Sequence, residues 1–145
     1  MAATRREAGA NVLSGRTGLV DRLLVRLFKP SLGAWGEWIA LCYLRRQGWD
    51  IVARNWEGSR GELDLVGYDN EFLVFVEVKT RQWPSPLPPE DQMTRKKELT
   101  LDSLISEFTM RYEVFDCPTR LDLIAIETED MVGYQLRHYV AWDEQ

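Results

Sequence analysis

The sequence is poor in the residues that build soft-metal sites and histidine-based nucleophiles. Its 145 residues hold one histidine, His138, and two cysteines, Cys42 and Cys117. Two cysteines make no disulfide framework, so a reducing, cytoplasmic setting is expected. A closed zinc site and a histidine-dependent triad are disfavoured on the same count. No apolar run approaches the roughly 20 residues needed to span a bilayer, so no membrane partner is expected. The opening MAATRREAGAN leads into no apolar leader segment. There is also no glycine-rich phosphate loop, no GxGxxG element and no internal repeat. Any metal should therefore be a hard one held by carboxylates, magnesium or manganese.

What the chain does have is charge, unevenly spread. The formal net charge is −5. Residues 1–60 carry ten Lys/Arg against five Asp/Glu, whereas residues 61–145 carry eight against eighteen. A field so divided can present a basic face despite an acidic total, although solvated surface gives similar counts. The length suits one domain with a sizeable core.

The carboxylates matter most between Gly61 and Arg81, GELDLVGYDNEFLVFVEVKTR. Leu63–Val66 and Phe72–Val78 are rich in Leu, Val and Phe and read as strands, with turn-forming Tyr68-Asp69-Asn70-Glu71 between them. Side chains alternate faces along a strand, so Glu62 and Asp64 share one face and Glu77 and Lys79 share another. With Asp69-Asn70 as the two-residue turn, Glu62 lies opposite Glu77. Asp64 then lies opposite Phe75, with Glu77 on its diagonal at roughly 7–8 Å. Like charges so placed destabilise a sheet unless something positive joins them. Lys79 is one candidate and a divalent cation is another. A purely structural Glu77–Lys79 pair explains less, because buried ion pairs stabilise weakly once desolvation is counted.

Around this hairpin the rest of the chain falls into place. Residues 1–18 are polar and are expected to be poorly ordered. Leu19–Phe28 reads as a short amphipathic helix, stopped at Lys29-Pro30, that covers the core or else meets a membrane surface or a partner. Gly33–Gln47 reads as a helix apolar nearly all round and ended by Gly48. Glu37 on it is either exposed in the first turns, answering the helix dipole, or buried and in need of a cation. Trp49–Trp56 reads as a strand. The second hairpin strand is apolar on both faces, which predicts a central strand with Glu77 and Lys79 at its C-terminal end. Gln82–Gln92, with four prolines, reads as a loop that leaves Arg81 and Trp83 at the mouth of the site. Met93–Met110 reads as a helix with Arg95, Lys96 and Lys97 in its first turns, as phosphate ligands or as a solvated basic face. Arg120–Glu127 and Tyr134–Trp142 read as strands, with Asp122 paired to Arg120 or another base. The order predicts an α/β sandwich around a mixed sheet.

Asp64 followed thirteen residues later by Glu77-x-Lys79 resembles the PD-(D/E)xK site of restriction-endonuclease-like nucleases. The wider pattern is more specific. Gly36-Glu37, Arg54-Asn55, Gly61-Glu62-Leu63-Asp64-Leu65, Phe75–Arg81 and a lysine in the next helix together resemble the YraN-type family of uncharacterised bacterial endonucleases. That family is similar in layout to archaeal Holliday junction resolvases. The resemblance covers roughly residues 31–127. It lacks the leading proline of the motif, with Glu62 near that place.

The resemblance implies a three-layer restriction-endonuclease-like sandwich with an αβββαβ core over residues 31–145, residues 1–30 being a partly disordered N-terminal extension that carries the short helix. It implies an Mg²⁺- or Mn²⁺-dependent endodeoxyribonuclease acting on DNA, branched or junction DNA included. The alternative is a catalytically inactive nuclease-like module that binds DNA or protein. Asp64, Glu77, Lys79 and Glu37 are the implied catalytic residues, and Asp64, Glu77 and Glu37 the implied metal ligands. Arg81 and either Lys96 or Lys97 would hold DNA, with Glu62 and Asn55 behind the ligands. A homodimer is one candidate assembly. Glu98, Asp102 and Glu107 make the second core helix more acidic than a DNA-contacting helix ordinarily is.

Overall fold

The computed structural model describes residues 9–144. One six-stranded sheet carries three helices. In chain order the elements are β1 (Ala10–Arg16), α1 (Leu19–Phe28), α2 (Leu32–Arg46), β2 (Asp50–Gly58), β3 (Gly61–Asp69), β4 (Phe72–Gln82), α3 (Arg95–Arg111), β5 (Thr119–Thr128) and β6 (Gly133–Tyr139). The strand order is β1-β6-β5-β4-β3-β2. Only β4 and β5 run parallel, joined through α3; the other pairs are antiparallel.

β4 is central because both of its faces are apolar. Val74, Val76 and Val78 pack with α2 residues Trp35, Ile39, Ala40 and Leu44. Leu73 and Phe75 pack on the other face with α3 residues Leu101, Leu104 and Phe108. The result is an α/β protein with a helix layer on each side of the sheet. α2 starts where Ser31 Oγ accepts the Ala34 N–H at 3.1 Å, and α3 where Thr94 Oγ1 accepts the Lys97 N–H at 3.2 Å. Each satisfies a donor that the first turn of a helix leaves free.

Two expectations are corrected here. Residues 1–8 lie outside the described residues, but 10–16, expected to be poorly ordered, form edge strand β1 against β6. The segment ANVLSGR carries no clear alternation, so only its partner strand defines it. The hairpin register also differs by one residue at each strand. Asp69 pairs with Phe72, Val66 with Phe75 and Leu65 with Val76, so the turn is Asn70-Glu71. Asn70 takes the left-handed conformation, φ 53°, which Asn tolerates better than most residues. The described pairing ends at Leu65 and Val76, one step short of Asp64 and Glu77.

α1 has the boundaries its sequence suggests but buries no residue. Val25 packs against the α2-side core, while Leu19, Val20, Leu23, Leu27 and Phe28 remain exposed.

Asp122 is fully buried and accepts from Arg120 Nε at 2.8 Å, from Arg120 Nη2 at 3.0 Å and from the Ala141 N–H at 3.0 Å, with His138 Nε2 2.8 Å away. Hydrogen bonds from His138 and Arg120 outweigh the desolvation of Asp122 and hold its pKa below the usual carboxylate range. This is the structural pairing expected for it. A second network staples the proline-rich loop to the sheet. Arg137 on β6 donates to Glu90 at 2.6 Å and to Glu127 at 2.7 Å, and the Tyr139 hydroxyl donates to Glu90 at 3.1 Å. Replacing Arg137 with Met leaves two carboxylates without their cation. Urea unfolding should register a loss of about 3–5 kcal/mol, and the further change Glu90→Gln should recover part of it.

Candidate active site

The site lies where β3 and β4 part. Strands β2 and β3 both pivot at one level. Asn55 sits at φ 48° in mid-strand, and Ala53 and Trp56 on either side of it pack into the same α3-side core. On β3, Leu63 and Val66 face that core while Leu65 faces α2. Strict alternation is therefore broken around Asp64. The described β3–β4 pairing stops at Leu65 and Val76. Beyond it the Val78 N–H donates to Asp64 Oδ2 at 2.8 Å, so a side chain takes the place of a ladder bond and is fixed in doing so.

Glu77 is 2% exposed on the α3-facing side of β4. Its Oε1 receives Lys79 Nζ at 2.9 Å and Lys97 Nζ at 3.3 Å. Its Oε2 is buried with no hydrogen-bond partner. Lys97 comes from the first turn of α3, whereas Lys96 is exposed, which resolves the choice between the two helix lysines in favour of Lys97 as the one at the cluster. Arg81 continues the same face of β4, with a buried Nε that has no partner.

From the other side α2 brings Glu37. It is held close by Gly36, since a Cβ there would strike the Thr80 side chain. Burial raises the Glu37 pKa first, and the charges of Glu62 and Glu77 raise it further. Arg54 and a hydrogen bond from Asn55 oppose the rise. Burial is also the main cause at Asp64, followed by the charge of Glu77, and the carboxyl is pushed up to about 8. Glu37 thus feels the charges of Glu62 and Glu77, and Asp64 those of Glu77 and Glu37, with Glu62 exposed.

Two readings need adjustment. Trp83 does not stand over this cluster; it lines a cleft with Glu127, Thr128 and Tyr134. The acidic residues of α3 are also less free than their count suggests. Glu107 accepts from the Ser59 N–H and Oγ–H at 2.9 Å, and Glu98 accepts from Trp142 Nε1 at 3.1 Å.

The donor set is all carboxylate, which suits a hard divalent cation. The orphaned Glu77 Oε2 beside Asp64 is where such an ion would be needed. Among the described residues no three Asp, Glu, His or Cys side chains are already drawn together as a ligand set. Lys79 and Lys97 supply the positive charge instead.

An α/β domain with a carboxylate–lysine cluster at the parting of two central strands is the class of protein these features define. The model of Uncharacterised protein family UPF0102 matches residues 36–126, and the chain belongs to this family, the YraN-type family whose motifs the sequence carries. The match takes in Glu37, Asn55, Asp64, Glu77, Lys79 and Lys97, and leaves β1 and α1 outside. A UPF0102 protein of Geotalea uraniireducens is 35% identical over 113 residues, 78% of this chain and 89% of the relative. One of Beutenbergia cavernae is 39% identical over 98 residues, 68% and 83% of the two chains. One of Carboxydothermus hydrogenoformans is 36% identical over 111 residues, 77% and 93%. No helix among the described residues is long and apolar enough to cross a membrane, which says nothing of a β-barrel.

Proposed function

We propose that this protein is an Mg²⁺- or Mn²⁺-dependent endonuclease that hydrolyses phosphodiester bonds in DNA, on a restriction-endonuclease-like core formed by α2, β2–β4, α3 and β5. The observation that carries the reading is Glu77, a buried carboxylate with two lysines on one oxygen and nothing on the other, set beside an Asp64 locked by the Val78 N–H. A structural ion pair would leave no buried anionic oxygen unanswered, since such an orphan is costly.

Asp64 and Glu77 would hold the ion, with Glu37 closing the set from α2. The bound cation would supply charge stabilisation at the phosphate and an acidified water. Lys79, 2.9 Å from Glu77, is placed to orient the water, take its proton or neutralise the phosphate. Arg81 and Lys97 hold the backbone without reading sequence. Glu62 and Asn55 tune and aim Glu37. The likeness to resolvases suggests branched substrates by analogy of fold.

The rival reading is a nuclease-like module that binds DNA or protein without turnover. It draws on the two lysines that already neutralise Glu77. The discriminating experiment incubates the protein with duplex, flap and four-way-junction DNA plus Mn²⁺. Cleavage of at least one substrate is expected, falling about tenfold or more in Lys97→Ala and less than about twofold in the exposed Lys96→Ala. Equal effects of the two lysine variants would remove Lys97 from the site, and no cleavage of any substrate would favour the rival.

A further inference from the structure

A groove of about 380 Å³ runs between α1 and α2, within the range of small-ligand clefts. Leu24, Val25, Phe28, Trp35, Trp38 and Arg54 are among the residues that line it. Its link to the carboxylate cluster is Arg54, which lines the groove and acts on the Glu37 charge. Trp38 is 38% exposed, with the Arg54 guanidinium 6.0 Å from its ring centroid. Phe28 on the facing helix is 75% exposed. Two open rings and a guanidinium plane are the surfaces on which nucleobases stack. Asp21 also lines the groove, so its charges cancel. A phosphate gains little there, whereas a flat, neutral ring that can hydrogen-bond at its edge gains stacking.

We propose that this groove receives an unpaired nucleobase next to the scissile phosphate. The substrate class would then be DNA with unpaired nucleotides at the cleavage point, such as a flap or an opened junction arm. A base stacked inside an intact duplex cannot enter. The inference rests on the nuclease reading for its biological sense but not for its test. It also accounts for α1, a helix that buries none of its own residues and yet supplies one wall of the groove.

The test is fluorescence anisotropy at low salt in EDTA, with labelled oligothymidylate and a blunt duplex of the same length. The wild type is expected to bind the single strand more tightly. Trp38→Ala should weaken that binding about tenfold or more, with duplex binding unchanged, while Trp38→Phe retains most of it. Phe28→Ala, on the other wall and fully able to keep the α2 core, should weaken the single strand alone as well. Equal losses on both substrates, no loss on either, or a wild type that binds no single strand would overturn the proposal. Single-strand binding that depends on Trp38 without any cleavage in Mn²⁺ would instead overturn the nuclease reading and leave the groove standing.

Discussion

Glu77→Ala is expected to reduce Mn²⁺-dependent DNA cleavage by about a thousandfold or more, roughly 4 kcal/mol of barrier. The size follows from the position. Glu77 is the residue on which Lys79 and Lys97 converge, and it carries the buried oxygen with no partner. Its removal would take away a proposed metal ligand and release both ammonium groups at once. Asp64→Ala should have a similar effect through a different loss, because it also frees the Val78 N–H where β4 leaves β3. The double variant should be little worse than either single one, since groups acting as a unit lose their effect together. A purely structural ionic cluster would instead keep or gain stability in Glu77→Gln combined with Lys79→Met. Cleavage that survives Glu77→Ala would place the activity elsewhere.

The second large effect concerns pH. Burial and then the charge of Glu77 disfavour the Asp64 anion and push its carboxyl up to about 8, against 3.8 ordinarily. The folded state therefore binds this proton more tightly than the unfolded state does. The stabilising contribution is complete below about pH 4 and is lost as pH rises through about 8. Metal-free protein should accordingly melt at lower temperature as pH climbs across that window, and Asp64→Asn should flatten the trend. Glu37 is shifted in the same direction. A cation held at the proposed site would reverse the dependence, because it would have to displace the proton on Asp64. Apparent Mn²⁺ affinity should rise about tenfold per pH unit from about pH 6 and level off near pH 8. Cleavage at subsaturating Mn²⁺ should follow the same curve.

Much of this was legible in the chain. β4 announced itself because its Leu, Val and Phe residues are apolar on both faces, and a strand of that kind has to lie in the middle of a sheet. The Lys29-Pro30 stop and the spacing of leucines fixed α1 at its observed ends. The hairpin register is ambiguous in the sequence because Asp69-Asn70 and Asn70-Glu71 are both acceptable turns, and only the pairing of Leu65 with Val76 decides between them. A helix beginning at Met93 does not separate Lys96 from Lys97. Thr94 as cap moves it to Arg95 and turns Lys97 toward Glu77. β1 carries no pattern of its own, and the Glu90–Arg137 bond joins residues 47 positions apart that nothing local connects. The pivot at Asn55 and Asp64, which breaks alternation in two strands, had a signal only in hindsight: an asparagine in mid-strand, a residue that tolerates a left-handed backbone.

The most direct measurement is a calorimetric titration of Mn²⁺ into the metal-free protein at about pH 8. Saturable binding is expected in the wild type and should be lost in Asp64→Ala and in Glu77→Ala, both first shown to be folded by circular dichroism. A protein that takes up no cation, or that binds it equally well without either carboxylate, would contradict a carboxylate-held divalent ion as the basis of this site.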